Sequence, residues 1–235
     1  MTIQRKTDGF WVLIPAAGAG RRMNAPIPKQ YLNVAGKTVL QHAIDRMAQV
    51  ATLTGLVLAT APNDDRSDVI LPSHLTCHKV VGGAERVHTV LAGLTSIIAA
   101  AGDQVWVLVH DAARPGVRLA DVERLMAHCV EFQEGGLLAQ PVRDTVKRSG
   151  SANQIEQTLP RDQIWLAQTP QCFRAGELFR ALEGALAEGL EVTDEASAMA
   201  HFGHVCHLIT GHWRNMKLTE PEDLPLIEWI LTHDE

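Results

Sequence analysis

The sequence predicts an α/β fold built on one mostly parallel sheet with helices on both faces. Three observations predict it. Unbroken apolar runs at 10–14, 55–61 and 105–109 read as strands buried on both faces. Segments with helical spacing lie between them, as at Val39, Leu40, Ala43, Ile44 and Met47. Strict alternation of the two calls for right-handed crossovers and places ligand-binding loops at the carboxyl ends of the strands.

In chain order, strand 10–14 feeds a glycine-rich loop. Helix 38–50 follows, then strand 55–61 and a short helix over 64–71 that Pro72 stops. Strand 77–81 ends at Gly82-Gly83, and helix 84–101 turns Val87, Val90, Leu91 and Leu94 inward. Strand 105–109, helix 119–134 and strand 136–140 continue the pattern. It breaks over 142–166, where 142–148 and 154–159 each alternate with period two about a polar turn at 149–153. This reads as a projecting β-hairpin arm. An isolated hairpin is marginal in water, so a homodimer paired through the arm is expected; the alternative is an arm folded back on its own domain. Helix 176–188, helix 193–202 with Thr193 as N-cap, strand 204–210 and helix 221–231 started by Pro221 complete the chain.

Composition bounds the function. With 235 residues, 46% of them hydrophobic, and no linker or repeat, residues 1–235 form one domain with a substantial core. The net charge of −6 argues against nucleic acid as partner, so an anionic ligand must be held by local cations. Cys77, Cys129, Cys172 and Cys206 are scattered without a C-x-x-C pair, which fits reduced thiols in a cytoplasmic protein. The N-terminal residues lack the apolar stretch of a secretion signal, and no apolar run approaches the roughly 20 residues that span a bilayer. No membrane association is expected.

The loop after the first strand runs Pro15-Ala-Ala-Gly-Ala-Gly-Arg-Arg-Met-Asn-Ala-Pro-Ile-Pro-Lys29. Backbone N–H groups over Ala16, Ala17, Gly18, Ala19 and Gly20 can cradle phosphate oxygens, and the glycines let a ligand approach without a Cβ in the way. Arg21, Arg22 and Lys29 add positive charge, and Pro26 and Pro28 stiffen the approach to Lys29. A glycine turn with solvated basic residues is the plainer alternative. A dinucleotide fingerprint fails at Met23, where a third small residue belongs, and a Walker loop fails for want of Gly-Lys-Ser/Thr.

Asp111 ends strand 105–109 and faces this loop. Mg²⁺ takes one or two carboxylates together with phosphate oxygens, so Asp111 is the candidate ligand; a helix cap or an ion pair with Arg114 is the alternative. Arg143 and Asp144 read as a surface pair, and Arg161 and Lys217 as solvated charges by spacing alone. His110 reads as a packing or capping residue. His201, His204, His207 and His212 cluster in sequence, yet 204 and 207 fall on opposite faces of a strand, which disfavours a metal site. No Ser/His/Asp set is present. The chemistry that fits is phosphoryl or nucleotidyl transfer by positioning and charge, without a covalent nucleophile from the protein.

The glycine loop with Pro28-Lys-Gln-Tyr31 resembles the signature of sugar-phosphate nucleotidyltransferases. His110-Asp-Ala-Ala-Arg-Pro115, Pro141-Val-Arg-Asp-Thr-Val-Lys147, Thr169-Pro-Gln171, Thr193-Asp-Glu-Ala-Ser197 and Asn215-Met-Lys-Leu-Thr219 narrow the resemblance to the 2-C-methyl-D-erythritol 4-phosphate cytidylyltransferase family, from Val12 to Leu231. The resemblance implies a Rossmann-like nucleotidyltransferase sheet, CTP and a polyol phosphate as substrates, and Mg²⁺ as cofactor. It implies Arg22 and Lys29 as transition-state stabilisers, and Arg161 and Lys217 as the groups that hold the attacking phosphate. It also implies Thr145 and Thr169 as contacts to the alcohol, Asp111 as metal ligand, and Gly83, Thr89 and Ala112 around the base and ribose. Thr89 keeps the hydroxyl of the family's usual serine, whereas Ala84 and His88 replace more polar residues. A ribitol 5-phosphate cytidylyltransferase is the runner-up. A non-catalytic nucleotide-binding regulator would be expected to lose Lys29, Asp111 or Lys217, and all three are present.

Overall fold

The computed structural model describes residues 9–18, 27–64, 66 and 69–233. The first strand, β1 (Phe10–Ala16), shows the logic of the whole sheet. Val12 and Ile14 point into one apolar cluster with Leu40, Ile44, Leu108 and Leu125. Trp11 and Leu13 point into another with Leu94, Ile97, Phe173 and Leu178. Successive side chains of a strand face opposite ways, so an all-apolar strand requires a cover on both faces.

β2 (Asn33–Val34) and β3 (Lys37–Thr38) form a small hairpin before α1 (Val39–Met47). The Thr38 hydroxyl caps α1 by accepting from the Gln41 N–H at 3.1 Å. Then follow β4 (Leu53–Thr60), β5 (Thr76–Val81), α2 (Arg86–Ala101), β6 (Trp106–Val109), α3 (Leu119–Phe132) and β7 (Gly135–Pro141). The arm is β8 (Val146–Ser149) and β9 (Ile155–Leu159), paired antiparallel. The chain closes with β10 (Trp165–Arg174), α4 (Ala175–Ala187), α5 (Glu195–His201), β11 (Cys206–Thr210) and α6 (Leu224–Thr232).

The main sheet has the order β11-β7-β10-β6-β1-β4-β5. All its pairings are parallel except those of β10, which runs antiparallel to both β6 and β7. α1 and α3 cover one face, and α2, α4 and α5 the other. A third cluster, with Val39, Ala113, Leu218 and Ile227, seats α6 beside the first. Among the described residues no helix is long and apolar enough to cross a membrane.

The fold departs from the sequence expectation in several places, among them the unexpected β2–β3 hairpin and the arm's first strand, which begins at Val146 and not at 142. β10 was not expected, because Gln168, Thr169 and Gln171 interrupt its apolar residues and Pro170 argues against a central strand. The pairing with β7 shifts register between Ala167 and Gln171, which accommodates the proline. No helix forms at Asp64, Arg66 or 69–71; the other residues of the expected 64–71 helix, 65, 67 and 68, lie outside the described residues. Asp194, not Thr193, caps α5: its carboxylate accepts from Ser197 N–H and the serine hydroxyl completes a capping box. The last helix starts as a 3₁₀ turn at Pro221–Asp223 before α6.

Leu13 is fully buried where β1 meets α2. Leu13→Ala is expected to lower unfolding stability by about 2–5 kcal/mol, as large-to-small core changes do. A urea midpoint read by circular dichroism checks this.

Candidate active site

The carboxyl ends of β1, β5 and β6 converge on a cavity of about 340 Å³. Pro15, Ala16, Ala17 and Gly18 form one wall, and Gly83 to Arg86 with Thr89 form another. Asp111–Ala113, Lys29–Gln30, Lys217 and Thr219 complete it. Three segments expected from sequence to meet therefore do so. Among the described residues beyond its chain neighbours, no atom lies within 4 Å of where a Gly18 Cβ would stand, so none of them blocks a ligand from the backbone there. At Gly83 a Cβ would meet the His88 Cβ at 2.3 Å, so this bend requires glycine.

Asp111 is the electrostatic centre. Its side chain is 8% exposed in whole-residue terms, yet it meets three cations. Lys217 Nζ donates to Oδ2 at 2.7 Å, Arg86 Nη2 donates to Oδ1 at 3.2 Å, and Arg114 Nε lies 3.7 Å from Oδ2. Burial alone would raise the Asp111 carboxyl; Arg86, Lys217 and Arg114 outweigh it and hold the group well below the usual carboxylate range. Its backbone N–H donates to the Thr169 hydroxyl at 3.0 Å. His110, fully buried, bonds to the Arg114 carbonyl and the Thr169 hydroxyl, and burial lowers it to about 4, so the ring is neutral near pH 7.

Arg86 and Glu195 carry no role in the sequence reading. Arg86 binds both carboxylate oxygens of Glu195, at 2.6 and 3.1 Å, while its Nη2 also reaches Asp111. Glu195 opens α5 at 1% exposure. Burial opposes the charge on Arg86, but Glu195 and Asp111 together raise its pKa. The sequence signal was the Thr193–Ser197 motif already singled out, in which spacing gave no hint that the carboxylate is buried.

The other expected residues divide clearly. Lys29 donates to the Leu218 carbonyl beside Lys217. Ala112 lines the cavity. The Thr89 hydroxyl accepts from Gly83 N–H and donates to the Glu85 carbonyl, fixing the bend after β5. Thr169 is buried with its hydroxyl on the Asp111 loop, away from the cavity lining. Thr145 and Arg161 are exposed on the arm, where Arg161 donates to the Arg143 carbonyl; neither lines the cavity of its own chain. Ala19, Gly20, Arg21, Arg22, Met23 and Pro26 lie outside the described residues. Arg114 donates to the Asn215 carbonyl at 2.6 Å and so ties the Asp111 loop to the segment carrying Lys217. His201 pairs with Glu188, His204 with Glu177 and His207 with Glu134, while His212 accepts from Arg214 N–H.

In the lining, Lys29, Arg86 and Lys217 face Glu85 and Asp111, so the cavity is locally cationic in a chain of net charge −6. The N-terminal end of α2 adds its positive dipole to the same wall. A cationic cleft at the strand ends, a glycine loop and one anchored carboxylate together define a nucleotidyltransferase-type α/β enzyme. The profile of one family, IspD: 2-C-methyl-D-erythritol 4-phosphate cytidylyltransferase, matches residues 10–233. The chain belongs to this family, and its activity is the transfer of a cytidylyl group to that alcohol phosphate in isoprenoid biosynthesis. A protein of that name from Ectopseudomonas mendocina (strain ymp) is 47% identical over 225 residues, covering 94% of this chain and 96% of the relative. One from Vibrio vulnificus (strain YJ016) is 43% identical, covering 98% of each. Among solved structures, a 4-diphosphocytidyl-2C-methyl-D-erythritol synthase superposes with a TM-score of 0.82 at 36% identity, covering 95% of this chain and 98% of that one. The Francisella tularensis enzyme gives 0.80 at 33%, covering 94% and 99%.

Glu195 is buried while the Arg86 side chain is 34% exposed, so removing Arg86 leaves a buried carboxylate uncompensated, whereas replacing both with apolar groups is often near neutral. Arg86→Met is therefore expected to destabilise the protein by about 1–3 kcal/mol, less than for a fully buried pair, and the Arg86→Met/Glu195→Leu double variant to recover much of that. Denaturant midpoints of the single and double variants check the coupling.

Proposed function

We propose that CTP lies with its triphosphate along the glycine loop and its base and ribose against Gly83, Thr89 and Ala112. The observation that carries this reading is the convergence of Lys29, Lys217 and Asp111 on one cavity beside the Gly18 backbone. The phosphate of methylerythritol phosphate attacks the α-phosphorus of CTP in line. One P–O bond forms, the bond to the β-phosphate oxygen breaks, and pyrophosphate leaves. Lys29 and Arg22 stabilise charge that grows on the α-phosphoryl oxygens and the leaving group. Lys217 orients the attacking phosphate, and holding two reactants in line is itself a large part of such catalysis.

Asp111 fits a divalent cation by the chemistry of its donor set: a deprotonated carboxylate at the rim of a phosphate-sized cleft, with lone pairs beyond those used by Lys217 and Arg86. Bound Mg²⁺ would neutralise charge on the triphosphate oxygens. Thr169 and His110 hold the Asp111 backbone in place for that task.

A homodimer completes each site in this reading. Arg161 and Thr145 are on the exposed arm, and among the described residues the arm's strands pair only with each other. Ile155 is 68% exposed and Leu166, in β10 beyond the arm, 59%. A second copy seated against the arm would bury such groups and bring Arg161 of one chain to the cavity of the other. All four cysteines are free thiols, which accords with the reducing cytoplasm as the working compartment.

Pyrophosphate release with CTP and Mg²⁺ is expected with 2-C-methyl-D-erythritol 4-phosphate and absent with ribitol 5-phosphate. Release with the ribitol compound alone would move the substrate assignment. For the dimer, Lys29→Ala and Arg161→Ala proteins are each expected to lose most turnover. Refolded together they should regain turnover well above either alone, because one site of each mixed dimer then holds both native residues. A mixture no better than the average of its parts would place Arg161 in its own chain's site.

A further inference from the structure

We propose that Gln30 is a positioning residue that presets the Ala16–Gly18 stretch opening the glycine loop before nucleotide arrives; this rests on reading that loop as the CTP site. Gln30 sits in the 3₁₀ turn Lys29–Tyr31 and is 5% exposed. Its Nε2 donates to the Ala16 carbonyl at 2.8 Å and to the Gly18 carbonyl at 3.0 Å. Carbonyl oxygens only accept, so the side chain must present its NH₂ here, and a carboxylate of the same shape would repel both. One buried amide thus clasps two carbonyls of the loop that are two residues apart.

The direction of these bonds matters. In a planar trans peptide the N–H points opposite to the C=O. Gln30 draws the Ala16 carbonyl toward itself, and so turns the Ala17 N–H the other way. Among the described residues beyond its chain neighbours, nothing lies within 4 Å of the missing Gly18 Cβ, so none of them packs on the loop there. The amide supplies a restraint.

The turn that carries Gln30 is itself fastened on both sides. Lys29 donates to the Leu218 carbonyl, next to Lys217. Tyr31 is buried and donates its hydroxyl to the Asp64 carboxylate after β4. Three consecutive side chains therefore join one turn to three separate segments of the chain, two of them at the cavity. Gln30 fixes the glycine loop to the same frame that places Lys29, so phosphate cradle and cation keep one spacing. Ordering a loop before binding removes an entropic penalty from the binding step.

The test pairs Gln30→Met, which keeps length and neutrality but cannot donate, with Gln30→Asn, which keeps the amide but not the reach. Steady-state kinetics with each substrate varied, CTP titration calorimetry and thermal unfolding are read on both. The loss of presetting is expected to raise KM and Kd for CTP about tenfold, the worth of roughly one ordinary hydrogen bond. KM for the alcohol phosphate should stay near that of the unmodified protein, while the unfolding midpoint falls modestly, because both hydrogen bonds already exist in the unliganded fold. If Gln30→Met does not fold, Gln30→Asn carries the same expectation. Unchanged CTP affinity in a folded variant overturns the proposal, as does an equal rise in both KM values, which marks a merely structural role. An unmodified protein that fails to bind CTP would instead refute the reading of the loop on which the proposal rests.

Discussion

A single buried carboxylate sets the terms for the rest of the site. Asp111 stands at the end of β6 with little access to water, and burial of an unbalanced charge is costly. Arg86, Arg114 and Lys217 come from three distant parts of the chain to balance it. Each brings a constraint of its own. Arg86 must be held by Glu195, Arg114 is tied to Asn215, and Lys217 lies on the segment whose Leu218 is buried beneath α6. The position of α5, the 215–219 segment and the start of α2 thus all follow from neutralising one side chain.

β10 serves the same need from below. Its central residues are polar and buried, an arrangement that normally destabilises a sheet unless every group finds a partner. Thr169 takes the Asp111 N–H, Gln171 bonds Asp194 and the Ala196 N–H at the start of α5, and Gln168 reaches the His212 carbonyl. A strand that is poor by pattern is good by hydrogen bonding.

This contrast explains what the sequence disclosed. Strands β1, β4 and β6 are buried on both faces, and continuous apolar runs announce that directly. The arm showed itself by alternation, and the glycine loop, Lys29 and Asp111 by residue type next to a strand end. β10 stayed hidden because hydrogen-bond partners 23 to 59 residues away, not apolar periodicity, justify its polar residues. Arg86, Glu195 and Gln30 stayed hidden for a related reason. A charged or amide side chain reads as solvated until the fold brings its partner, and the Arg86–Glu195 partners are 109 residues apart. Arg161 and Thr145 were placed by resemblance alone, and their exposed setting on the arm separates them from the rest of the set.

The arm's isolation bears on where its order comes from. β8 and β9 form a ladder of their own and share no backbone pairing with the seven-stranded sheet. Substitutions in the ribbon leave every ladder bond of the main sheet intact. The ribbon's backbone order and that of the main sheet thus rest on separate hydrogen-bond ladders.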